Sequence, residues 1–481
     1  MPLLSRRAAV TGAQVVRGVR AVCVARVVQV VQVVQVVQVV RNAGTGLPSR
    51  PTSSTDRQSD TRSREFPEDR GGAAVPHPTP EDATGRRAVA PEPPSSGAER
   101  EERIRRFVTD RVVPREPVLD AGGPAAGEAL GELRATAREE GLWALPLPAE
   151  LGGGGLPFAE YAVLAETEGA SDHGPAALGS APLLDVTMLS RHATGAVREA
   201  FLRPLVAGGV RACYAMTEPD VPGTNPGGTR TTARRAPGGG WRVSGRKWFV
   251  SGAAGADLVT VLARTGGAPG DREGLSLLLV PTASRGFRVV RDLPVLGATG
   301  QYEIAFDDVV VPEEHLVGPE GGALAVTGER LSLGRTLRCL RWLGQARRAF
   351  DLMCERAVSR GGARGPLAGH QLVQQHVFDA LLALRTTRPL VHEAVALIAA
   401  GRDARTEVGL AKVAAARMLQ QVADSAVQVF GAAGLGPDTP LPALFRGGRA
   451  ARILDGPDEL HVTSVARRVL RGYGDGAPTR D

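Results

Sequence analysis

A chain of 481 residues with a formal net charge of +7 is long enough for two or three domains with sizeable cores. Residues 1–100 hold fourteen arginines against nine acids. The remainder is nearly neutral, which argues against a nucleic-acid face, since such faces are basic patches on a folded domain. The four cysteines, Cys23, Cys213, Cys339 and Cys354, show neither metal-ligand spacing nor a disulfide framework, and fit a reducing, cytosolic compartment. Only Lys247 and Lys412 are lysines among the 58 basic residues, a bias of GC-rich coding more than of function.

The first hundred residues differ in kind from the rest. "VVQVVQVVQVVQVV" (Val27–Val40) is a three-residue repeat whose spaced glutamines and length argue against a spanning helix. The stretch before Asp56 has arginines and no acid, a superficial match to an organelle transit peptide. Its composition cannot bury enough surface to fold, so residues 1–98 are expected to be a low-complexity, disordered extension.

From 99 to 210 the texture is helical. "ALGELRATAREEGLWALPLPAELGGGGL" reads as an amphipathic helix, a glycine stop and a loop, and "FAEYAVLAETEGA" begins another helix. From 211 to 315 the period changes to short β-branched runs ("WRVSGRKWFVSG", "LVTVLAR", "GLSLLLV", "FRVVRDL", "YEIAFDDVVV") separated by Gly, Pro and Asp. That is a small all-β domain. From 316 to 472 the helical period returns, with stripes through Leu333, Leu337, Leu340, Leu343, Phe350 and Ala357, through Val373, Val377, Leu381 and Leu384, and through Val408, Ala415, Leu419 and Val422. Long helices joined by short loops predict a bundle, and 473–481 is a tail.

Two stretches carry chemistry. "YAMTEPDVPGTNPG" (Tyr214–Gly227) suits an edge that presents N–H groups and hydroxyls to a polar ring such as a flavin pyrimidine; an ordinary strand-to-loop exit fits it too. "RAARILDGPDELH" (Arg449–His461) places three carboxylates within five residues. By themselves they can be a solvated, helix-capping turn or can include a catalytic base.

The ordered set "EEGLWALPLPAELGG", "MTEPD", "GRKWFVSGA", "ERLSLGR", "SRGGARGPLAGHQ", "QVFGAAG" and "DGPDELH" resembles the acyl-CoA dehydrogenase flavoproteins from about Leu133 to Leu470, and is most similar to the branch with a "DGPDE" ending. The resemblance implies an α+β multidomain fold: an N-terminal helical domain, a central small β-barrel or sandwich, and a C-terminal four-helix bundle. It implies FAD, held by Tyr214, Met216, Thr217, Thr224, Phe249 and Ser251 at the flavin. Arg360 and Gln371, eleven positions apart, would hold the phosphates across a subunit interface. Gln428, Gly431 and Gly434 would meet the adenosine diphosphate, and Pro457 and Glu459 the cofactor from the late turn. Thr224, Arg335 and Gly456 would contact the substrate. Asp458 and Glu459 would cap the last helix.

The family's catalytic carboxylate directly precedes a glycine, which matches Asp455 before Gly456; the minority position is Gly334, before Arg335, and cannot be a base. The implied reaction is α,β-dehydrogenation of an acyl-CoA thioester. Asp455 would take the α-proton, and the β-hydride would leave for the flavin. An electron-transfer flavoprotein would be the acceptor, and the enzyme a homodimer or homotetramer without nucleic-acid, membrane or metal partners. Ala363 and Arg364 stand where the family usually has Phe and Gly, and Gly447 follows Arg446 where it usually has Asp. Two alternatives stay open: the same fold used as an oxygen-dependent flavin oxidase or hydroxylase, or, on the ground of these departures, a degenerate, non-catalytic acyl-CoA-binding homologue.

Overall fold

A computed structural model describes residues 96–363 and 365–474. The expected extension to residue 95, Arg364 and the tail beyond 474 lie outside the described residues. Helix α1 (Gly97–Phe107) already begins within the stretch assigned to the extension, started by the Ser96 hydroxyl, which accepts from the Glu99 N–H at 3.2 Å.

Helices α2 (Glu116–Ala121), α3 (Gly123–Glu139), α4 (Phe158–Glu168), α5 (Gly174–Ala177), α6 (Leu183–His192) and α7 (Gly195–Ala207) form the N-terminal helical part. The α3 stop comes at Gly141, whose φ of 65° suits a residue without a side chain.

Eight strands follow: β1 (Ala212–Ala215), β2 (Thr232–Arg235), β3 (Trp241–Ser251), β4 (Leu258–Arg264), β5 (Leu275–Pro281), β6 (Phe287–Asp292), β7 (Gln301–Val311) and β8 (Leu316–Val317). They make one sheet in the order β6-β7-β3-β2-β4-β5-β8, with β1 parallel to β4 in the register Ala212↔Leu258. The β region thus runs past residue 315, because Leu316 and Val317 pair with Leu278 and Leu277.

Strands β4 and β5 are buried on both faces. Val259, Val261, Leu278 and Val280 point into a core of the β domain with Trp241, Ile304 and Phe306, whereas Leu258, Leu262, Leu275, Leu277 and Leu279 join the core of the helices. Period-two alternation therefore fuses the β domain to the bundle through two apolar faces.

The bundle consists of α8 (Ala323–Ser359), α9 (Gln371–Ala399), α10 (Arg405–Phe430), α11 (Leu441–Ala451) and α12 (Asp458–Gly474). A two-residue hairpin, β9 (Gly361–Gly362) with β10 (Gly365–Pro366), joins α8 to α9. On α8 the expected stripe is buried at Leu340, Leu343, Phe350 and Ala357, while Leu333 and Leu337 are half-buried because they line cavities. Leu381 on α9 is exposed, not core. Among the described residues no helix is long and apolar enough to cross a membrane.

Candidate active site

Arg335 and Arg338 lie one turn apart on α8 and both reach the turn between α11 and α12. Arg335 Nε donates to the Asp455 carbonyl at 2.9 Å, and Arg338 Nε donates to Asp455 Oδ2 at 3.2 Å. The same carbonyl is 3.1 Å from His461 Nε2. Burial pushes the His461 imidazole down to about 4 and the Arg335 charge adds to this, so the ring is neutral at pH 7 and Nε2 must carry the hydrogen that faces the carbonyl.

Arg335 and His461 therefore fix the Asp455 backbone, which sits in the left-handed region at φ 56°. Asp tolerates that region better than most residues, and such strain persists where surroundings over-determine it. Gly456 follows at φ 97°; a Cβ there would lie 2.9 Å from Leu460 Cδ2 and 3.1 Å from His461 Nε2. Asp455 Oδ1 makes no hydrogen bond among the described residues, and the side chain is 27% exposed. The turn thus holds one carboxylate oxygen by a cation and leaves the other free.

Asp458 does something else than cap α12. Its carboxylate, buried at 2% exposure, meets Arg452 Nε at 2.9 Å and Lys412 Nζ and Arg417 Nε at 3.4 Å each. Burial opposes its ionisation, but the Arg452 hydrogen bond and the neighbouring charges outweigh it and hold the carboxyl below its usual range. Glu459 is exposed and Pro457 half-buried, its carbonyl accepting from the Leu460 N–H at 3.0 Å.

The flavin-edge candidates gather around a second buried ion pair. Lys247, fully buried, donates to Glu218 Oε1 at 2.8 Å and to the Met216 carbonyl at 2.9 Å. Burial pushes the ammonium down to about 8, against the pull of Glu218, so it is charged at neutral pH. Glu218 also accepts from the Arg230 and Thr231 N–H groups, which pins the "TEPD" loop to β2. Both lysines of the chain are thus buried cations with a single acid as counter-ion or anchor, a use that suits a compact ammonium.

Above that pair Thr217 Oγ1 donates to the Trp248 carbonyl at 2.7 Å, and the Trp248 N–H returns to the Thr217 carbonyl at 3.0 Å. Phe249 then takes φ 49°, its ring 47% exposed and 4.9 Å from the Trp248 ring. A bulky residue in that conformation is uncommon; here it presents an aromatic surface beside a hydroxyl, which fits a flavin ring. Ser251 is exposed and shares hydrogen bonds with Gln301. Thr224 is exposed on a loop whose Gly223 packs near Thr217 Cγ2. Tyr214 faces away from this edge: its hydroxyl bonds Thr327 Oγ1 at 2.8 Å, and the Arg330 guanidinium lies 4.6 Å over its ring.

The phosphate candidates lie elsewhere. Arg360 caps α8 and Gln371 opens α9, both exposed. Gln428 and Gly431 end α10, also exposed, and Arg356 sits 5.3 Å over the Phe430 ring with its Nε unpaired. They share one end of the bundle. From Arg335 to Arg360 the rise along α8 is about 37 Å at 1.5 Å per residue, so they do not reach the Asp455 turn of their own chain. Gly434 is small for a reason other than cofactor approach: a Cβ there would strike Phe430 Cβ at 2.9 Å and Val427 at 3.0 Å.

Sequence reading missed Arg338, His461, Lys412 and Glu218 as partners of the expected residues. The two lysines were the available signal, since lysine is otherwise absent.

Residues 98–209, 213–309 and 321–470 match the N-terminal, middle and C-terminal domains of the acyl-CoA dehydrogenases. A Mycobacterium tuberculosis protein named "probable acyl-CoA dehydrogenase FadE2" is 37% identical over 385 residues, covering 76% of this chain and 94% of that protein. Human acyl-CoA dehydrogenase family member 11 is 33% identical over 378 residues, covering 76% of this chain and 47% of that protein; the chain spans about half the length of such vertebrate relatives. The butyryl-CoA dehydrogenase of Megasphaera elsdenii shares the fold, with a TM-score of 0.70 at 23% identity over 78% of this chain and 98% of that one.

Proposed function

Since the chain belongs to the acyl-CoA dehydrogenase family, we propose that it is an FAD-dependent oxidoreductase that desaturates an acyl-CoA thioester between Cα and Cβ, with Asp455 as the base. When bound, FAD supplies the two-electron acceptor for the hydride that leaves Cβ. Asp455 Oδ1, free of hydrogen bonds, accepts the α-proton, while Arg338 holds Oδ2. Arg335 and His461 fix the backbone that carries the base. The Phe249 surface and the Thr217 hydroxyl orient the flavin, and Gly456 leaves room beside the turn for the thioester.

The observation that carries this reading is the doubly anchored Asp455 carbonyl with one free carboxylate oxygen. An electron-transfer flavoprotein is the proposed electron acceptor.

The second element of the proposal is a homodimer or homotetramer. Arg360, Gln371, Gln428 and Gly431 share the end of the bundle far from the Asp455 turn of their own chain, which favours their serving a partner's cofactor. Beside them Val358, Leu372, Phe378 and Leu382 are exposed, a face that a second copy would cover.

Anaerobic addition of acyl-CoAs to the purified yellow protein tests the reading. Bleaching of the flavin without hydrogen peroxide release in air supports a dehydrogenase. Rapid peroxide release would turn it into an oxidase, and a protein that stays colourless after incubation with FAD would make it a non-catalytic homologue.

A further inference from the structure

Arg356 lies one turn before Arg360, and its carbonyl accepts from the Arg360 N–H at 3.0 Å. Residues at that spacing are neighbours on a helix surface, about 5–6 Å apart at Cβ. The Arg356 guanidinium sits 5.3 Å over the ring of Phe430, the last residue of α10. Among the described residues that guanidinium has neither an acceptor nor a counter-ion, and its Nε is buried without a hydrogen-bond partner.

Most buried donors are paired, and one left open marks a strained site or a ligand still to come. An aromatic ring attracts a guanidinium through its face but accepts none of its N–H groups as an oxygen would. The ring therefore positions the cation and leaves its donors available. Phe430 is itself held: it packs against the helical core, and Gly434 lacks the Cβ that would strike Phe430 Cβ at 2.9 Å. Chain neighbours do not supply the missing acceptor. Glu355 precedes Arg356 directly, and adjacent residues diverge on a helix. Gly361, Gly362 and Ala363 bring no side chain larger than a methyl group to this corner.

We propose that Arg356 is a ligand for the diphosphate of FAD, acting beside Arg360, and that Phe430 holds it in place for that role. The inference rests on the FAD-dependent reading above and on the bundle end named there. A diphosphate offers two adjacent anionic groups, which suits two guanidinium groups one helical turn apart better than a single carboxylate does. It also relieves the repulsion of two like charges at that spacing.

Riboflavin carries the flavin ring without the diphosphate or the adenosine, so a comparison with FAD separates the two ends of the cofactor. Full-length protein stripped of flavin is titrated with each, followed by flavin fluorescence. Arg356→Met keeps an unbranched apolar stem and removes the charge. It should weaken FAD binding by about ten- to a hundredfold, the value of a charge-assisted hydrogen bond. Riboflavin binding and the melting temperature of the flavin-free protein should not change. Arg356→Lys, which keeps a cation, should retain part of the FAD affinity. An FAD affinity that Arg356→Met leaves intact would overturn the inference. So would an equal loss for FAD and riboflavin, the mark of a residue that only packs the bundle or pairs with an acid of a second copy. If Arg356→Met does not fold, Arg356→Gln and Arg356→Lys decide by the same comparison. Arg360→Ala keeps the readings apart. Weaker FAD binding in Arg360→Ala but not in Arg356→Met would sink the Arg356 role alone, whereas unchanged binding in both would sink the phosphate-binding bundle end itself. FAD binding that behaves as expected, with no flavin reduction by any acyl-CoA, would sink the dehydrogenase reading alone.

Discussion

Arg338 Nε lies 3.2 Å from Asp455 Oδ2 across 117 positions of sequence, while its neighbour one turn back, Arg335, grips the carbonyl of the same aspartate. Both side chains of the Arg338–Asp455 pair are about a third exposed, so the pair adds only about 0–1 kcal/mol to stability. Its consequence is orientation: it engages one carboxylate oxygen and leaves the other without a hydrogen-bond partner among the described residues. Arg338→Gln should therefore keep the melting temperature and FAD content but slow flavin reduction by about ten- to a hundredfold, the scale of a misplaced catalytic group. Stopped-flow reduction by an acyl-CoA measures this, and an unchanged rate would remove Arg338 from the site.

The opposite partition is expected at Asp458. Removing its charge leaves Lys412, fully buried, without its counter-ion, a loss of about 3–5 kcal/mol for a broken buried pair. Asp458→Asn should lower the unfolding free energy by that much and the denaturation midpoint with it, whereas Glu459→Gln, at an exposed position, should leave both where they were. Equal midpoints for both variants would contradict the buried-pair reading.

His461 gives the fold a pH limit. Its pKa falls from 6.5 to about 4 on folding, mainly through burial, so between those values the unfolded chain binds the proton that the folded chain refuses. Stability from this group is complete above about pH 6.5 and is lost as the pH falls toward about 4. Glu168, raised to about 7, acts in the opposite sense, so the informative quantity is a difference. The unfolding free energy of the unmodified protein minus that of His461→Gln should shrink as the pH falls from about 6.5 to 4. A difference independent of pH would show that His461 is not buried as a neutral ring.

Much of this was legible in the sequence, and the limit is physical. The change of hydrophobic period from helical to alternating and back located all three parts, because each period reports which face is buried. The ends blurred where elements are short, as at Leu316–Val317, two residues that only tertiary pairing makes a strand. The motif that carries Asp455 was legible, but neither its φ of 56° nor that of Phe249 at 49° was, since neither residue type signals a left-handed backbone as glycine does. Arg338 and Lys412 were invisible for another reason: each meets its partner on another element. Asp458 was misread for the same cause, because a first-turn acid looks like a cap until the cations beneath it are seen.

The separation of Arg360 and Gln371 from the Asp455 turn predicts that cofactor retention depends on assembly. Arg360→Ala removes a charge-assisted hydrogen bond to phosphate worth about 1.5–3 kcal/mol, and should lower FAD occupancy without changing the melting temperature of the apoprotein. Absorbance ratios of flavin to protein, read across a size-exclusion peak, measure it. Full occupancy in a strictly monomeric fraction would contradict a cofactor site shared between chains.

Anaerobic flavin reduction in Asp455→Asn is the most direct measurement of the catalytic assignment. The substitution keeps the size of the side chain, and the Arg335 and His461 contacts go to the backbone carbonyl, so FAD and acyl-CoA should still bind. Loss of a general base costs about 10²–10⁴-fold in rate, and flavin reduction should fall by that factor, with partial recovery in Asp455→Glu. Near-normal reduction in Asp455→Asn would contradict the assignment and send the search for the base elsewhere.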